Sequence, residues 1–274
     1  MKENNNQKLT KLKEFIKSFS RVAVAFSGGV DSSLLLSICA RVLPGNVLAL
    51  TVVSEFQSED EIERAKEFAK KLQVPHRLVP VNVLSHKRIS NNPADRCYHC
   101  KKELFTTMLD VAAKEGYQVV VDGTNADDAK DYRPGLMALE ELKVVSPFLR
   151  FGITKEWIRE TSKKWGLSSW NLSPNACLAT RVAYHTPLTT DLLKRIEKGE
   201  RVLKDLDFSN VRLRVYDRLA CIEINQSEMG NFFNKRSMVL EKIKALGFPV
   251  VALDLEGYVS GKLNRVINRL NDKS

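Results

Sequence analysis

The chain has 274 residues, 43% of them hydrophobic, which is length and apolar content for two packed domains. No apolar run reaches the ~18 residues of a membrane span, and the opening MKENNNQKLTKLKEF has no apolar signal-peptide core, so the expectation is a cytoplasmic protein without membrane contact. A formal net charge of +10 implies anionic partners, a small phosphorylated substrate as readily as RNA, and five cysteines in such a chain argue against a disulfide framework.

Leu9 to Phe19 reads as a leading amphipathic helix. Val22 to Phe26 is a short apolar run, a buried strand, and Leu34, Leu35, Leu36 and Ile38 read as a helix packed on it. Between them Ser27-Gly28-Gly29-Val30-Asp31-Ser32 turns tightly. Two glycines let backbone N–H groups approach a ligand, and the new helix adds its own unpaired N–H groups and the positive end of its dipole. The turn is an anion cradle, with phosphate its natural guest. No Gly-Lys-Ser/Thr follows, so it is not a Walker A loop, and the third glycine of the dinucleotide pattern is missing. These six residues, directly after a strand, resemble the PP-loop of the ATP-pyrophosphatase group, enzymes that adenylate a substrate with ATP and hold the departing pyrophosphate here. The plainer alternative is a Gly-rich turn with no ligand.

Val47 to Val53 is a second buried strand; Ser58 and Glu61 form a capping box for a helix running through Leu72, and a third strand fits Arg77 to Val81. Strands alternating with helices predict a doubly wound parallel α/β sheet with ligands at the carboxyl ends of its strands. Val83 to Arg96 reads as a polar, irregular, mobile loop that delivers Arg96-Cys97-Tyr98-His99-Cys100-Lys101 to a helix over Glu103 to Glu115. Val119 to Val121 is a strand ending in Asp122-Gly123-Thr124-Asn125-Ala126-Asp127-Asp128, a turn suited to nucleotide or Mg²⁺, or an ordinary Asx-rich turn. Arg133-Pro134-Gly135 leads into a short helix, Val144-Val145 is a short strand, and a helix over Thr154 to Trp165 follows.

Next comes the loop Ser173 to Arg181, centred on Cys177. From about Thr186 the pattern changes to a helix (Thr190 to Leu206), two alternating strands (Val211 to Tyr216, Leu219 to Ile224), a helix (Ser227 to Leu246) and a strand (Val250 to Leu255). The expectation is a phosphate-loop domain over 1–185 and a small α/β domain, for substrate binding or oligomerisation, over 186–274. Cys39, in the apolar helix, and Cys221, in a strand, read as packing residues.

Cys97, Cys100 and Cys177 carry chemistry. A lone C-x-x-C is ambiguous between redox pair, zinc half-site and Fe–S half-site. Zinc on the three cysteines and one histidine stays open. Three thiolates on a 4Fe–4S cluster leave one iron without a protein ligand, available to sulfide. That joins the two halves of the sequence: ATP turns a carboxylate into an acyl-adenylate, and a sulfur nucleophile displaces AMP.

The motifs SGGVDSS at Ser27, DGTNADD at Asp122, YRPG at Tyr132 and SPNACLATR at Ser173, then VRLRVYDRLACIEI and LDLEGYVSGKLN, resemble in order those of the LarE family over nearly the full length. The resemblance implies an ATP-dependent sulfur transferase of nickel-pincer nucleotide biosynthesis. Its substrate would be pyridinium-3,5-biscarboxylic acid mononucleotide, whose carboxylates become thiocarboxylates at the expense of Mg²⁺-ATP. In single-cysteine members the residue matching Cys177 gives up its own sulfur and is left as dehydroalanine. Cys97 and Cys100 depart from that pattern and resemble the three-cysteine subtype, with a 4Fe–4S cluster on Cys97, Cys100 and Cys177.

By motif, Ser27, Gly28, Gly29, Asp31, Ser32, Asp122, Gly123 and Asn125 would bind ATP. Arg181, Arg212 and Arg214 would bind the substrate phosphate, against a plainer reading of Arg212 and Arg214 as solvent-facing. Glu223, and more weakly Glu200, are metal or ligand contacts. Tyr216 stands where relatives would carry a histidine. A closed homo-oligomer is implied, and nucleic acid is disfavoured. Rival readings are a tRNA thiolase of the same fold, an amidating ligase such as an NAD synthetase, and a nucleotide-binding regulator.

Overall fold

A computed structural model describes residues 5–130, 134–173, 176–259 and 262. Tyr132 and Arg133 of YRPG, Pro174 and Asn175 of the cysteine loop, and Ser260, Gly261, Leu263 and Asn264 of the closing segment lie outside the described residues. In chain order the elements begin with α1 (Asn5–Lys17), β1 (Val22–Ala25), α2 (Val30–Val42), β2 (Val47–Val53), α3 (Glu59–Lys71) and β3 (His76–Pro80). Then come α4 (Lys87–Ser90), α5 (Arg96–Lys114), β4 (Val120–Val121), α6 (Pro134–Glu141), α7 (Pro147–Arg150) and α8 (Lys155–Lys164). The last are α9 (Thr190–Asp205), β5 (Arg212–Tyr216), β6 (Leu219–Glu223), α10 (Met229–Ala245) and β7 (Val250–Leu253). No helix among the described residues is long and apolar enough to cross a membrane.

Two compact units form: Met1–Val83 with Cys97–Asn175, and Leu84–Arg96 with Ala176–Ser274. In the first, a parallel sheet runs in the order β3-β2-β1-β4, with Val22 beside Val47 and Ala23 beside Val120. Val145 adds a parallel bridge to Val121. β1 is written Val-Ala-Val-Ala because it is buried on both faces, where alternation would place polar groups in the core. From β1 the chain walks outward to β2 and β3, then crosses back to lay β4 on the other side. Strand order therefore reverses between β1 and β4, the crevice where such sheets bind ligands.

α2 is buried nearly all round, at Val30 and at Ser32 to Cys39, because α1 and α8 pack on it with Leu12, Ile16, Trp157 and Ile158. Burial pushes the Cys39 thiol up to about 12, so it stays protonated. α3 opens on the expected capping box: the Ser58 amide donates to Glu61 Oε2 at 3.0 Å, and the Glu61 amide donates to Ser58 Oγ at 3.4 Å.

The second unit is a sheet in the order β5-β6-β7, antiparallel then parallel. Its apolar face (Leu213, Val215, Ala220, Ile222) is buried in the layer to which α9 and α10 bring Ile196, Leu203, Val239 and Ile243. Two stretches join this unit from further back than a cut at residue 185 places them. Val182 bridges Val215, so the chain from Ala176 onward belongs here. Leu84–Arg96 is tied in because His185 N–H donates to the Asn92 carbonyl (2.8 Å) and Leu188 N–H to the Ser90 carbonyl (2.7 Å). That segment, expected to be irregular, contains α4 and then enters α5, which starts seven residues before the anticipated Glu103.

Gly28 has φ +73°, and a Cβ there would lie 3.2 Å from the Ala65 amide nitrogen of α3. Gly28→Ala is expected to lose about 1–2 kcal/mol through the left-handed backbone alone, before any clash. Gly230→Ala, on α10 with open space around it, is expected to gain up to about 1 kcal/mol. Urea unfolding midpoints check both, and a Gly28→Ala protein as stable as wild type would contradict the packing described.

Candidate active site

The phosphate loop hangs from a fixed strand end. Phe26 N–H donates to the Leu50 carbonyl at 2.8 Å, and its own carbonyl accepts from Thr51 Oγ1 at 2.6 Å. Thr51, its proton committed, accepts from His76 Nε2 at 2.8 Å. Burial and nearby Lys66 hold the His76 pKa below the usual histidine value, favouring the neutral ring. Past Phe26, Ser32 Oγ reaches back to the Ser27 amide (3.2 Å) and Ser27 Oγ (3.1 Å), closing the turn on itself. Gly29 is the N-cap of α2 and supplies no side-chain bond to the first-turn amides, the donors an anion takes up.

The second loop approaches across the β1–β4 crevice. A Cβ on Gly123 would lie 3.0 Å from the Ser32 amide, so only glycine permits this closeness. Asn125 Nδ2 donates to Asp31 Oδ1 at 3.3 Å. Asp122 is buried, accepting from Thr124 Oγ1 and, at 2.5 Å, from Ser146 Oγ, so its carboxylate anchors the turn. Lys155, at the start of α8, forms an ion pair with Asp31. Sequence reasoning missed it, although a lysine in the first turn of a helix opposes the dipole and so signals another employment.

Cys97 and Cys100 lie one turn apart inside α5, both half-exposed. The same turn is tied to α6: Tyr98 Oη donates to Glu141 at 2.8 Å, and Lys102 Nζ reaches Glu141 at 2.7 Å. In the second unit, Cys177 is half-exposed and precedes a single 3₁₀ turn, Leu178–Arg181. Its carbonyl accepts from Thr180 N (2.9 Å), Thr180 Oγ1 (2.8 Å) and Arg181 Nη1 (3.2 Å), which fixes the backbone around the thiol. None of the five cysteines is in a disulfide.

The polar face of β5 and β6 is a buried charge cluster, not solvent-facing. Arg181, 2% exposed, meets Glu200 through Nε at 2.8 Å and Nη2 at 3.1 Å. Arg214 Nε meets Glu223 at 2.6 Å and its Nη1 the Thr180 carbonyl at 2.8 Å. Arg212, also buried, donates to the Val211 carbonyl and lies 5.1 Å from the Tyr258 ring centroid. Burial, with the Arg181 charge beside it, pulls the Arg212 pKa down. Guanidinium does not give up its proton, so Arg212 stays charged there. Among the described residues Arg181 is paired with Glu200 and Arg214 with Glu223. Glu223 Oε2, buried, has no hydrogen-bond partner among the described residues.

Glu200 and Glu223 are thus turned to arginines. No three His, Cys, Asp or Glu side chains among the described residues are gathered to hold a metal ion. Cys97, Cys100 and Cys177 are half-exposed thiols outside disulfides, the donor type an Fe–S cluster takes, with Cys97 and Cys100 on one helical turn. Mg²⁺ needs only one or two carboxylates beside phosphate oxygens, and Asp31 on the loop fits that. Cys221, on the polar sheet face, is raised by burial and by Asp254 and Glu223, and remains a thiol.

Glu200→Ala, which strands a buried guanidinium, is expected to cost about 3–5 kcal/mol in urea unfolding. Glu115→Ala, which breaks the exposed pair with Arg77, is expected to cost under about 1 kcal/mol. Equal losses would contradict the burial of the cluster.

Comparison with known proteins agrees with this architecture. The asparagine synthase family model matches residues 12–128. An uncharacterised protein of Synechocystis sp. is 37% identical over 96% of this chain and 98% of its own. A pyridinium-3,5-bisthiocarboxylic acid mononucleotide synthase of Lactiplantibacillus plantarum is 34% identical over 93% of this chain and 92% of its own. An uncharacterised protein of Methanocaldococcus jannaschii is 34% identical over 93% of this chain and 98% of its own. With the phosphate loop at the sheet's switch point and that likeness along nearly the whole chain, the protein belongs to the LarE family of ATP-dependent sulfur transferases.

Proposed function

We propose that the protein converts the carboxylates of pyridinium-3,5-biscarboxylic acid mononucleotide into thiocarboxylates for a nickel-pincer nucleotide cofactor. It uses Mg²⁺-ATP and a 4Fe–4S cluster held by Cys97, Cys100 and Cys177. One coincidence carries the reading: a phosphate loop and three half-exposed cysteines occur in a chain this similar to the named synthase.

Ser27 to Ser32 and the first turn of α2 hold the pyrophosphate portion of ATP. Asp31 is the carboxylate for Mg²⁺, and Lys155 offsets phosphate charge, while Gly123 and Asn125 bring the second loop against the nucleotide. A substrate carboxylate oxygen bonds to the α-phosphorus, and pyrophosphate leaves with the electron pair of the broken P–O bond. Sulfur then bonds to the carboxyl carbon, and AMP leaves with the C–O pair, so one oxygen is replaced by sulfur. Arg181, Arg212 and Arg214 hold the substrate phosphate, and Glu223 Oε2 accepts a hydrogen bond from the same ligand. When bound, a cluster on three thiolates supplies sulfide-transfer chemistry at the iron that has no protein ligand. Exposed Phe233 and Met238 on α10 support self-association into a homo-oligomer.

Anaerobic reconstitution with iron and sulfide is expected to give the charge-transfer absorbance of a cluster, lost in Cys97→Ala, Cys100→Ala and Cys177→Ala. A colourless protein that binds one zinc tightly would sink the cluster. After several turnovers the intact mass is expected to show Cys177 unchanged. Dehydroalanine there, with product limited to one transfer per chain, would establish sacrifice of the cysteine. The net charge of +10 favours tRNA thiolation as the second reading. A salt-dependent shift with tRNA, without turnover of the pyridinium nucleotide, would decide for it.

A further inference from the structure

Two glutamates are buried among the arginines of the second unit, and they are not equally served. Glu200 uses both of its oxygens: Arg181 Nε (2.8 Å) and the Leu213 amide (3.1 Å) donate to Oε1, and Arg181 Nη2 (3.1 Å) donates to Oε2. Glu223, 1% exposed, accepts from Arg214 Nε at 2.6 Å through Oε1, while Oε2 has no hydrogen-bond partner among the described residues. A carboxylate oxygen buried without a donor costs stability, so its place in the cluster needs a physical reason.

On the reading that Arg181, Arg212 and Arg214 hold the substrate phosphate, the missing donor comes from elsewhere on that ligand. A phosphate monoester, with a second pKa of about 6, is largely dianionic at neutral pH and offers only acceptors. The two ring carboxylates titrate near about 4 and are ionised, and the pyridinium nitrogen is quaternary, so none of them has a proton to share. The two ribose hydroxyls remain, on the sugar that carries the phosphate. Glu223 stands directly across the β5–β6 ladder from Arg212, with both side chains on one face. We propose that Glu223 Oε2 accepts a hydrogen bond from a ribose hydroxyl, which makes Glu223 the residue that selects a ribonucleotide over its deoxy counterpart. The inference rests on the phosphate reading of the arginines. Arg214 holds the other carboxylate oxygen and so aims the free one. A site built to pair a hydroxyl rejects the analogue that lacks it, because its own buried polar group is then left unmet.

The test is calorimetric binding of nicotinate mononucleotide, a pyridinium ribonucleotide with the same two hydroxyls, to the full chain. Mg²⁺ and α,β-methylene-ATP are present to fill the phosphate loop. Wild type is expected to bind it at least about tenfold tighter than either its 2′-deoxy or its 3′-deoxy form, according to which hydroxyl is paired. Fluorine at that position accepts but does not donate, so the fluoro analogue is expected to bind as weakly as the deoxy form. Glu223→Gln keeps an oxygen for Arg214 and puts an amide donor where Oε2 stood. It is expected to bind the ribo and deoxy forms within about twofold of each other, with the thermal melt showing that the fold persists. A purely structural role for Glu223 would shift all the ligands alike and leave the preference intact. If Glu223→Gln does not fold, the fluoro comparison in wild type carries the test. Equal binding of the ribo and both deoxy forms to wild type overturns the inference and leaves the phosphate reading standing. A fluoro analogue that binds like the parent, or a folded Glu223→Gln that keeps the full preference, overturns it too. Wild type that does not bind nicotinate mononucleotide removes the phosphate reading and the inference with it.

Discussion

Everything in the first unit depends on a tight reversal at the end of β1. A strand buried on both faces must turn within four residues into a helix that is itself largely buried, leaving no space for a side chain at the third of them. Gly28, left-handed and against the backbone of α3, is the solution, and Ser27 and Ser32 lock it. The anion-binding character follows from the same constraint. A helix that starts on a glycine has no N-cap side chain to take up its first amides. Gly123 then admits the second loop, which delivers Asn125 to Asp31 beside the Lys155 ion pair.

The second unit is organised by the opposite problem, charge without water. Exposed ion pairs contribute little, but arginines buried with glutamates must be matched closely or they destabilise the fold. Arg181–Glu200 and Arg214–Glu223 are matched, and burial with the Arg181 charge lowers the pKa of Arg212 beside them. On the proposed function this surface would hold the substrate phosphate, and the backbone amides of the first unit would hold the polyphosphate of ATP.

Much of this was legible in the sequence because the signals are local. The apolar run before Ser27, the Ser58–Glu61 capping box and the alternation of Arg212 and Arg214 each state an element directly. Other features are set by partners distant in the chain. Alternation gave the shared face of Arg212 and Arg214 but not what covers it, and the covering residues, Arg181 and Glu200, come from other segments. Asn91-Asn92-Pro93 reads as a loop, yet Asn92 is buried by residues some ninety positions away, and a helix starts three residues after the proline. Lys155 was overlooked because its use depends on Asp31, which tertiary structure alone brings to it. Cys97 and Cys100 were visible by type; their placement inside α5 was not.

The central claim is that the phosphate loop and the cysteines serve successive halves of one reaction. Quenched-flow analysis of Cys177→Ala with Mg²⁺-ATP and the biscarboxylate mononucleotide tests it most directly. The account predicts a burst of pyrophosphate, with the adenylated mononucleotide accumulating and no thiocarboxylate formed. Thiocarboxylate made at the wild-type rate, or a wild-type protein that never releases pyrophosphate with this substrate, would contradict it.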